Sequence, residues 1–263
     1  MPTRTWSGRF PAAPSGEEMS DGGASEAAFV ATDASRRYAA ACVEAIAAAR
    51  ASLHDAEERL GRMDAIADDG DHGRGMVRGV DAATAAAASP LGDGAGAGDV
   101  LAAAGDAWAD KAGGTSGILW GAGLRAFGET VGNSTGSDGA ALAAGVSAFA
   151  DRIVQLGKAE IGDKTMVDAL LPFVAAFSRE AAKGVAPVQA WETAARESAA
   201  AAEATADLLP LKGRARPLAE KSLGTPDPGA TSLAMVFAVI GPHVTGTAAG
   251  NGSQAAAATA AAK

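Results

Sequence analysis

Apolar residues recur along most of this chain three and four positions apart rather than alternately, the spacing of one-sided helices. The first such stretch runs from about Ala28 to Arg62, where Tyr38, Cys42, Ile46, Leu53 and Leu60 form a stripe between polar positions. Gly, Pro and Asp punctuation divides the rest into further predicted helices at about 73–88, 98–110, 116–131, 138–157, 165–182, 187–208 and 229–240. Residues 1–28 mix Pro, Gly, Ser and Glu without a period, which predicts a disordered leader whose Trp6 and Phe10 offer a short docking arm. Residues 245–263 are Ala, Gly, Ser and Thr with no apolar stripe and read as a disordered tail. Between them lies one expected domain, residues 29–244.

Composition sharpens this picture. Alanine dominates and aromatic residues make up only 5% of the chain, which favours an all-α fold of closely packed helices with small residues at their contacts. A formal net charge of −9 argues against a nucleic-acid or anionic-membrane surface, since either needs a basic patch. A polyanionic ligand must then be met by a metal or by backbone amides. Cys42 is the single cysteine and has no internal partner, and the N-terminus lacks the basic and apolar segments of a signal peptide. No apolar run approaches the ~18 residues of a membrane span. A soluble protein of the reducing cytoplasm is expected.

Chemistry gathers in four places. Asp64, Asp68, Asp69 and Asp71 crowd the run Asp64-Ala-Ile-Ala-Asp-Asp-Gly-Asp-His-Gly. Unit charges about 5 Å apart repel by roughly 3 kcal/mol per pair at an effective dielectric of about 20, so a cation between them would stabilise a fixed cluster. Hard oxygen ligands suit Mg²⁺, but a solvated acidic turn with Asp71 capping a helix near Gly73 accounts for the spacing equally well. Gly113-Gly114-Thr115-Ser116-Gly117 precedes an apolar helix, whose free N-terminal amides favour a phosphate. Close helix packing also uses glycine, and the run lacks the Lys-Ser/Thr of a P-loop. Gly162-Asp163-Lys164-Thr165-Met166-Val167-Asp168 reads as a loop entering a helix capped at Asp163. Gly213-Arg214-Ala215 and Asp227-Pro228-Gly229-Ala230 read as turns, the second opening the last helix.

In this order the four motifs resemble the nucleotide-binding L subunit, or C-terminal ATP domain, of dihydroxyacetone kinases, over roughly residues 35–243. The resemblance implies a barrel of about eight antiparallel helices with the nucleotide–metal site in the loops at one end. It implies two Mg²⁺ ions on the catalytic residues Asp64, Asp69 and Asp71. Nucleotide contacts are implied at His72, Gly73, Arg74, Gly75, Gly114, Thr115, Ser116, Gly157, Met166, Arg214, Asp227, Pro228 and Gly229, with Met166 a soft wall for the adenine. Asp68 stands where the family has a small residue and is expected to face solvent. Arg216-Pro217 replace the residues usual after Gly-Arg-Ala, so an altered lid is expected.

The implied activity is phosphorylation of dihydroxyacetone or a related small ketose, as in glycerol metabolism. In the family the ketose is held covalently by a histidine of a separate K domain. His54 and His243 have no such neighbourhood, so a K-type partner subunit is expected. The phosphoryl donor is either ATP or tightly bound ADP recharged by a phosphocarrier of the sugar phosphotransferase system. A homodimer stays open. The alternative is a non-catalytic ADP-loaded regulatory or protein-binding module. The related fatty-acid kinases are disfavoured by His72 and by Thr115-Ser116-Gly117.

Overall fold

The computed structural model describes residues 31–136 and 138–246, so the expectations for the leader and for nearly all of the tail lie outside the described residues. Among those residues there are eight α-helices and no strand: α1 Asp33–Asp64, α2 His72–Gly92, α3 Ala97–Ala112, α4 Gly114–Val131, α5 Gly139–Gly157, α6 Val167–Ala182, α7 Pro187–Ala204 and α8 Pro228–Val244. Side-chain caps start several of them. Thr32, Asp138 and Asp227 accept hydrogen bonds from the amides of Ser35, Ala141 and Ala230, and Pro187 and Pro228 occupy first-turn positions where no amide hydrogen is needed.

Each helix packs on the next, and α8 returns to pack on α1, so the ring closes. Six short links and the longer α7–α8 link each reverse the chain. The α1–α2, α3–α4, α5–α6 and α7–α8 links therefore emerge at one end of the barrel, and the other three at the opposite end. At that opposite end, Thr32 N donates to Asn133 O (3.1 Å) and Gly98 N donates to Gly132 O (3.0 Å), joining the start of α1 to the α2–α3 and α4–α5 links.

Small residues set the wall thickness and a few aromatics fill the interior. A Cβ added to Gly121 would stand 2.6 Å from the Ala109 Cβ, so α3 and α4 approach as only glycine allows. Inside, Phe173 lies with its ring centroid 4.3 Å from that of Phe237 and 4.8 Å from that of Trp191, while Trp108 stacks on Trp120 at 5.2 Å. The buried Trp191 Nε1 donates to Phe237 O at 2.7 Å, which satisfies its polar atom.

Several boundaries differ from the periodic pattern: α1 begins at Asp33 rather than at about 28, and α2 and α8 run on to Gly92 and Val244, past 88 and 240. α4 begins at Gly114 rather than at 116. α7 stops at Ala204 instead of 208, where the Thr205 hydroxyl donates to Ala202 O (2.6 Å) and Thr205–Asp207 tightens into a 3₁₀ turn. Arg216–Ser222 forms a second 3₁₀ helix, started by Pro217, that no apolar period announces.

Candidate functional site

The four links at one end surround a cleft of about 280 Å³. The α1–α2 link makes its acidic wall. Asp64 ends α1 with only 8% exposure, and its Oδ2 accepts from His72 N (3.2 Å), so the last residue of one helix ties down the first of the next. Between them the chain turns tightly: Asp68 N donates to Asp64 O (2.9 Å), and Asp69 Oδ1 accepts from Asp71 N (3.3 Å). This brings one carboxylate oxygen each from Asp64, Asp69 and Asp71 within 4.8 Å of one another. Asp71 makes no side-chain cap, so the capping alternative raised by the spacing is not what the structure shows.

Arg214, 145 positions from Asp69 in the chain, lies across this wall. Its Nε stands 3.0 Å from Asp68 Oδ2, its Nη2 is 2.8 Å from Asp71 Oδ1, and its Nη1 donates to Asp69. Asp68 was expected to face solvent; instead its side chain is 17% exposed and paired with Arg214. The guanidinium is the nearest available counter-charge for a carboxylate that a short turn holds inward. It lowers the Asp71 carboxyl below its ordinary range, whereas burial raises Asp64 and Asp68, and the surrounding acids raise Arg214 itself. His72 has its Nε2 3.0 Å from Ser232 Oγ, and burial lowers its pKa to about 4, so the ring is neutral at pH 7.

The remaining walls are neutral or basic. Gly113 (φ 73°) and Gly114 (φ 61°) turn α3 into α4, and Thr115 and Ser116 line the cleft on the first turn of α4, where unpaired amides gather. Arg78 Nη2 donates to Ala112 O (3.1 Å), joining α2 to that turn. The entry to α6 is stapled by Asp168 rather than capped by Asp163: Asp168 Oδ1 accepts from Gly162 N (2.5 Å) and Oδ2 from Thr165 N (2.7 Å), while Asp163 accepts from Glu160 N (2.8 Å). Met166 is buried at the cleft's side. Across from it Asp227 caps α8, and burial raises its carboxyl to about 7 although its edge still meets the open cleft.

Of the residues expected at the site, Asp64, Asp71, His72, Gly75, Gly114, Thr115, Ser116, Gly157, Met166, Arg214, Asp227, Pro228 and Gly229 line the cleft, and Asp69 joins the carboxylate cluster. Gly73 and Arg74 do not line it. Gly73 faces α1, where a Cβ would run into the Glu57 carbonyl, and Arg74 is exposed. Successive helical residues turn by about 100°, so a site holding His72, Gly75 and Met76 turns Gly73 and Arg74 away. Arg78 and Lys212 also line the cleft and were not among the residues expected there, while Lys164 and Thr165 line it as part of the run 162–168. His54 pairs with Asp81 and His243 with Glu44, and neither lines the cleft.

A closed ring of eight helices with its polar residues collected in alternate links is the helical fold of dihydroxyacetone kinase. The crystal structure of the dihydroxyacetone kinase from C. freundii in complex with AMP-PNP and Mg²⁺ matches with a TM-score of 0.55 and 26% identity, over 88% of this chain and 38% of that one. The DAK2 domain matches residues 66–241, and the chain belongs to that family. The D-erythrulose kinase of Mycolicibacterium smegmatis (strain ATCC 700084 / mc(2)155) is 54% identical over 212 residues, covering 81% of this chain and 36% of that protein. The ADP-binding subunit DhaL of the PEP-dependent dihydroxyacetone kinase 1 of Listeria innocua is 32% identical over 185 residues, covering 70% of this chain and 86% of that subunit. The chain thus spans about a third of the erythrulose kinase it matches and most of the free-standing subunit. Among the described residues no helix is long and apolar enough to cross a membrane.

Proposed function

We propose that this chain is the Mg-nucleotide-holding, phosphoryl-transferring part of a small-ketose kinase, acting on a ketose bound by a separate K-type subunit or domain. The observation that carries the reading is the meeting of three carboxylate oxygens within 4.8 Å with the first turn of α4 across one cleft. The donor set fits magnesium: hard oxygens, few enough to leave positions for water and phosphate. Asp64, Asp69 and Asp71 would hold the ions, which neutralise charge on the transferring phosphoryl group when bound. Amides and hydroxyls at Gly114, Thr115 and Ser116 would orient the phosphates, Arg214 would add a planar set of donors, and Met166 would face the base. His72, neutral and held toward Ser232, is a hydrogen-bonding member of that set and carries no charge to the phosphates.

The identity of 54% with the D-erythrulose kinase, against 32% with the PEP-dependent subunit, supports a small ketose such as erythrulose as acceptor, and the AMP-PNP and Mg²⁺ complex of the C. freundii enzyme supports ATP as donor over bound ADP recharged by a phosphocarrier. A partner is supported by the surface as well. Every large apolar residue that is exposed among the described ones, including Ile66, Ile118, Ile161 and Leu211, belongs to the links and helix turns at the cleft end. An apolar rim around a polar cleft suits a docking subunit that brings the acceptor hydroxyl to it.

Calorimetric titration with ADP and ATP, with and without Mg²⁺, tests the reading. Binding is expected to need Mg²⁺ and to weaken at least about tenfold in Asp69→Asn, one charged ligand being worth more than 1.4 kcal/mol. Absence of nucleotide binding by the folded wild-type protein under every condition overturns it.

A further inference from the structure

The α7–α8 link is the longest wall of the cleft, and Arg214 stands near its tip, beside the turn at Gly213 (φ 73°). Its leucines do not anchor it, since Leu209, Leu211, Leu218 and Leu223 are all exposed. It is held instead at its two feet by one side chain from the α5–α6 link. Lys164 Nζ donates to Leu208 O (3.0 Å) at the first foot, and to Ser222 O (2.7 Å) and Ser222 Oγ (3.1 Å) at the second. An ammonium has three protons, and these bonds use all of them. Two backbone bonds flank the clasp, Leu211 N to Asp163 O (3.1 Å) and Gly224 N to Ala206 O (2.9 Å).

Lys164 is costly in two ways. The residue is 4% exposed with no carboxylate among its hydrogen-bond partners, and burial lowers its pKa although Asp227 and Asp207 oppose that shift through space. Its backbone is left-handed (φ 58°), a conformation that side-chain-bearing residues seldom adopt. That turn of the backbone is what sends the side chain under the strap rather than along α6.

We infer that Lys164 is the positioning residue of this strap: one ammonium holds residues 208 and 222 together and so sets where Arg214 stands over Asp68, Asp69 and Asp71. This rests on the nucleotide reading of the cleft. Lys164 acts through Arg214, because its own donors are spent on the strap's feet and none is left for a phosphate.

The test combines Lys164→Met, Arg214→Ala and the double variant, read by Mg-ADP affinity and by trypsin cleavage after Lys212, Arg214 and Lys221. Lys164→Met is expected to bind Mg-ADP about tenfold more weakly and to be cut in the strap about tenfold faster, as suits the loss of charge-assisted bonds. The double variant is expected to bind no more weakly than Arg214→Ala alone, since two residues serving one contact do not add. Losses that multiply, or strap cleavage unchanged from wild type, overturn the inference. Should Lys164→Met fail to fold, Ser222→Ala removes one of the three acceptors and is expected to raise strap cleavage about threefold; an unchanged rate overturns the inference. Wild-type protein that binds no Mg-ADP refutes the nucleotide reading, while the cleavage comparison still decides whether Lys164 holds the strap.

Discussion

Replacing Arg214 by alanine removes, among the described residues, the one guanidinium that pairs with Asp68, Asp69 and Asp71 together. Carboxylate oxygens 4.8 Å apart or closer repel by about 1 kcal/mol per pair even at the dielectric of water, and more in a partly enclosed cleft. The Arg214 side chain is 53% exposed, so each attraction it supplies is heavily screened. A net loss of about 1–3 kcal/mol follows, or a fall of roughly 3–10 °C in Tm for a chain of this size. Magnesium supplies the missing positive charge and no longer competes with the guanidinium, so it should stabilise Arg214→Ala more than the wild type. Differential scanning fluorimetry in EDTA, in saturating Mg²⁺ and in 1 M NaCl measures this directly. The gap between variant and wild type is expected to be widest in EDTA at low salt and to shrink in the other two conditions. A gap that ignores both Mg²⁺ and salt would show that Arg214 serves packing alone and would refute the electrostatic account.

Two further outcomes are expected. Asp227, with its carboxyl raised from 3.8 to about 7, stays protonated in the fold where the unfolded chain has lost its proton, so its contribution is complete below about pH 4 and is lost as pH rises through about 7. The ceiling on that loss is about 4 kcal/mol, reduced because the group meets the open cleft; Asp227→Asn, which can still cap α8, should gain stability over wild type above pH 7 and match it below pH 4 in urea melts, and parallel profiles would refute this. Cys42 is buried and its thiol is pushed up to about 12, so Ellman's reagent should label native protein only at the rate of global opening, and labelling that outpaces unfolding would contradict that burial.

The fold was largely legible because its helices are amphipathic or capped. The stripe through Tyr38, Cys42, Ile46, Leu53 and Leu60 is buried residue for residue, and the punctuation at Asp138, Pro187 and Asp227 marks real helix starts. Arg216–Ser222 was not legible, since a 3₁₀ segment in a solvent-facing strap carries no apolar period. At the site, the motifs located the links but not the contacts between them. Nothing local to Asp68 announces a partner 146 positions later, and the fate of its carboxylate is decided by where the α7–α8 link falls. Lys164 escaped for a related reason: its left-handed backbone answers to the two feet of a distant strap, and the residue itself is an ordinary member of a polar loop. Gly73 and Arg74, by contrast, were expected at the site, although helix period alone turns them from the face that His72, Gly75 and Met76 share.

On the proposed function, the alternation of links bears on how an acceptor domain would reach the cleft. Asp33 begins α1 and Val244 ends α8, and both lie at the end turned away from the site. A tether leaving Asp33 must run back along the 32 residues of α1, about 48 Å, and needs at least about 14 extended residues to do so. A domain fused to either end would therefore meet the cleft with an effective concentration set by linker length and by the domain's own reach. A domain on another chain is under no such constraint. The direction in which a ring of helices happens to close thus sets how far a fused acceptor domain would have to reach, before any residue of that domain is specified.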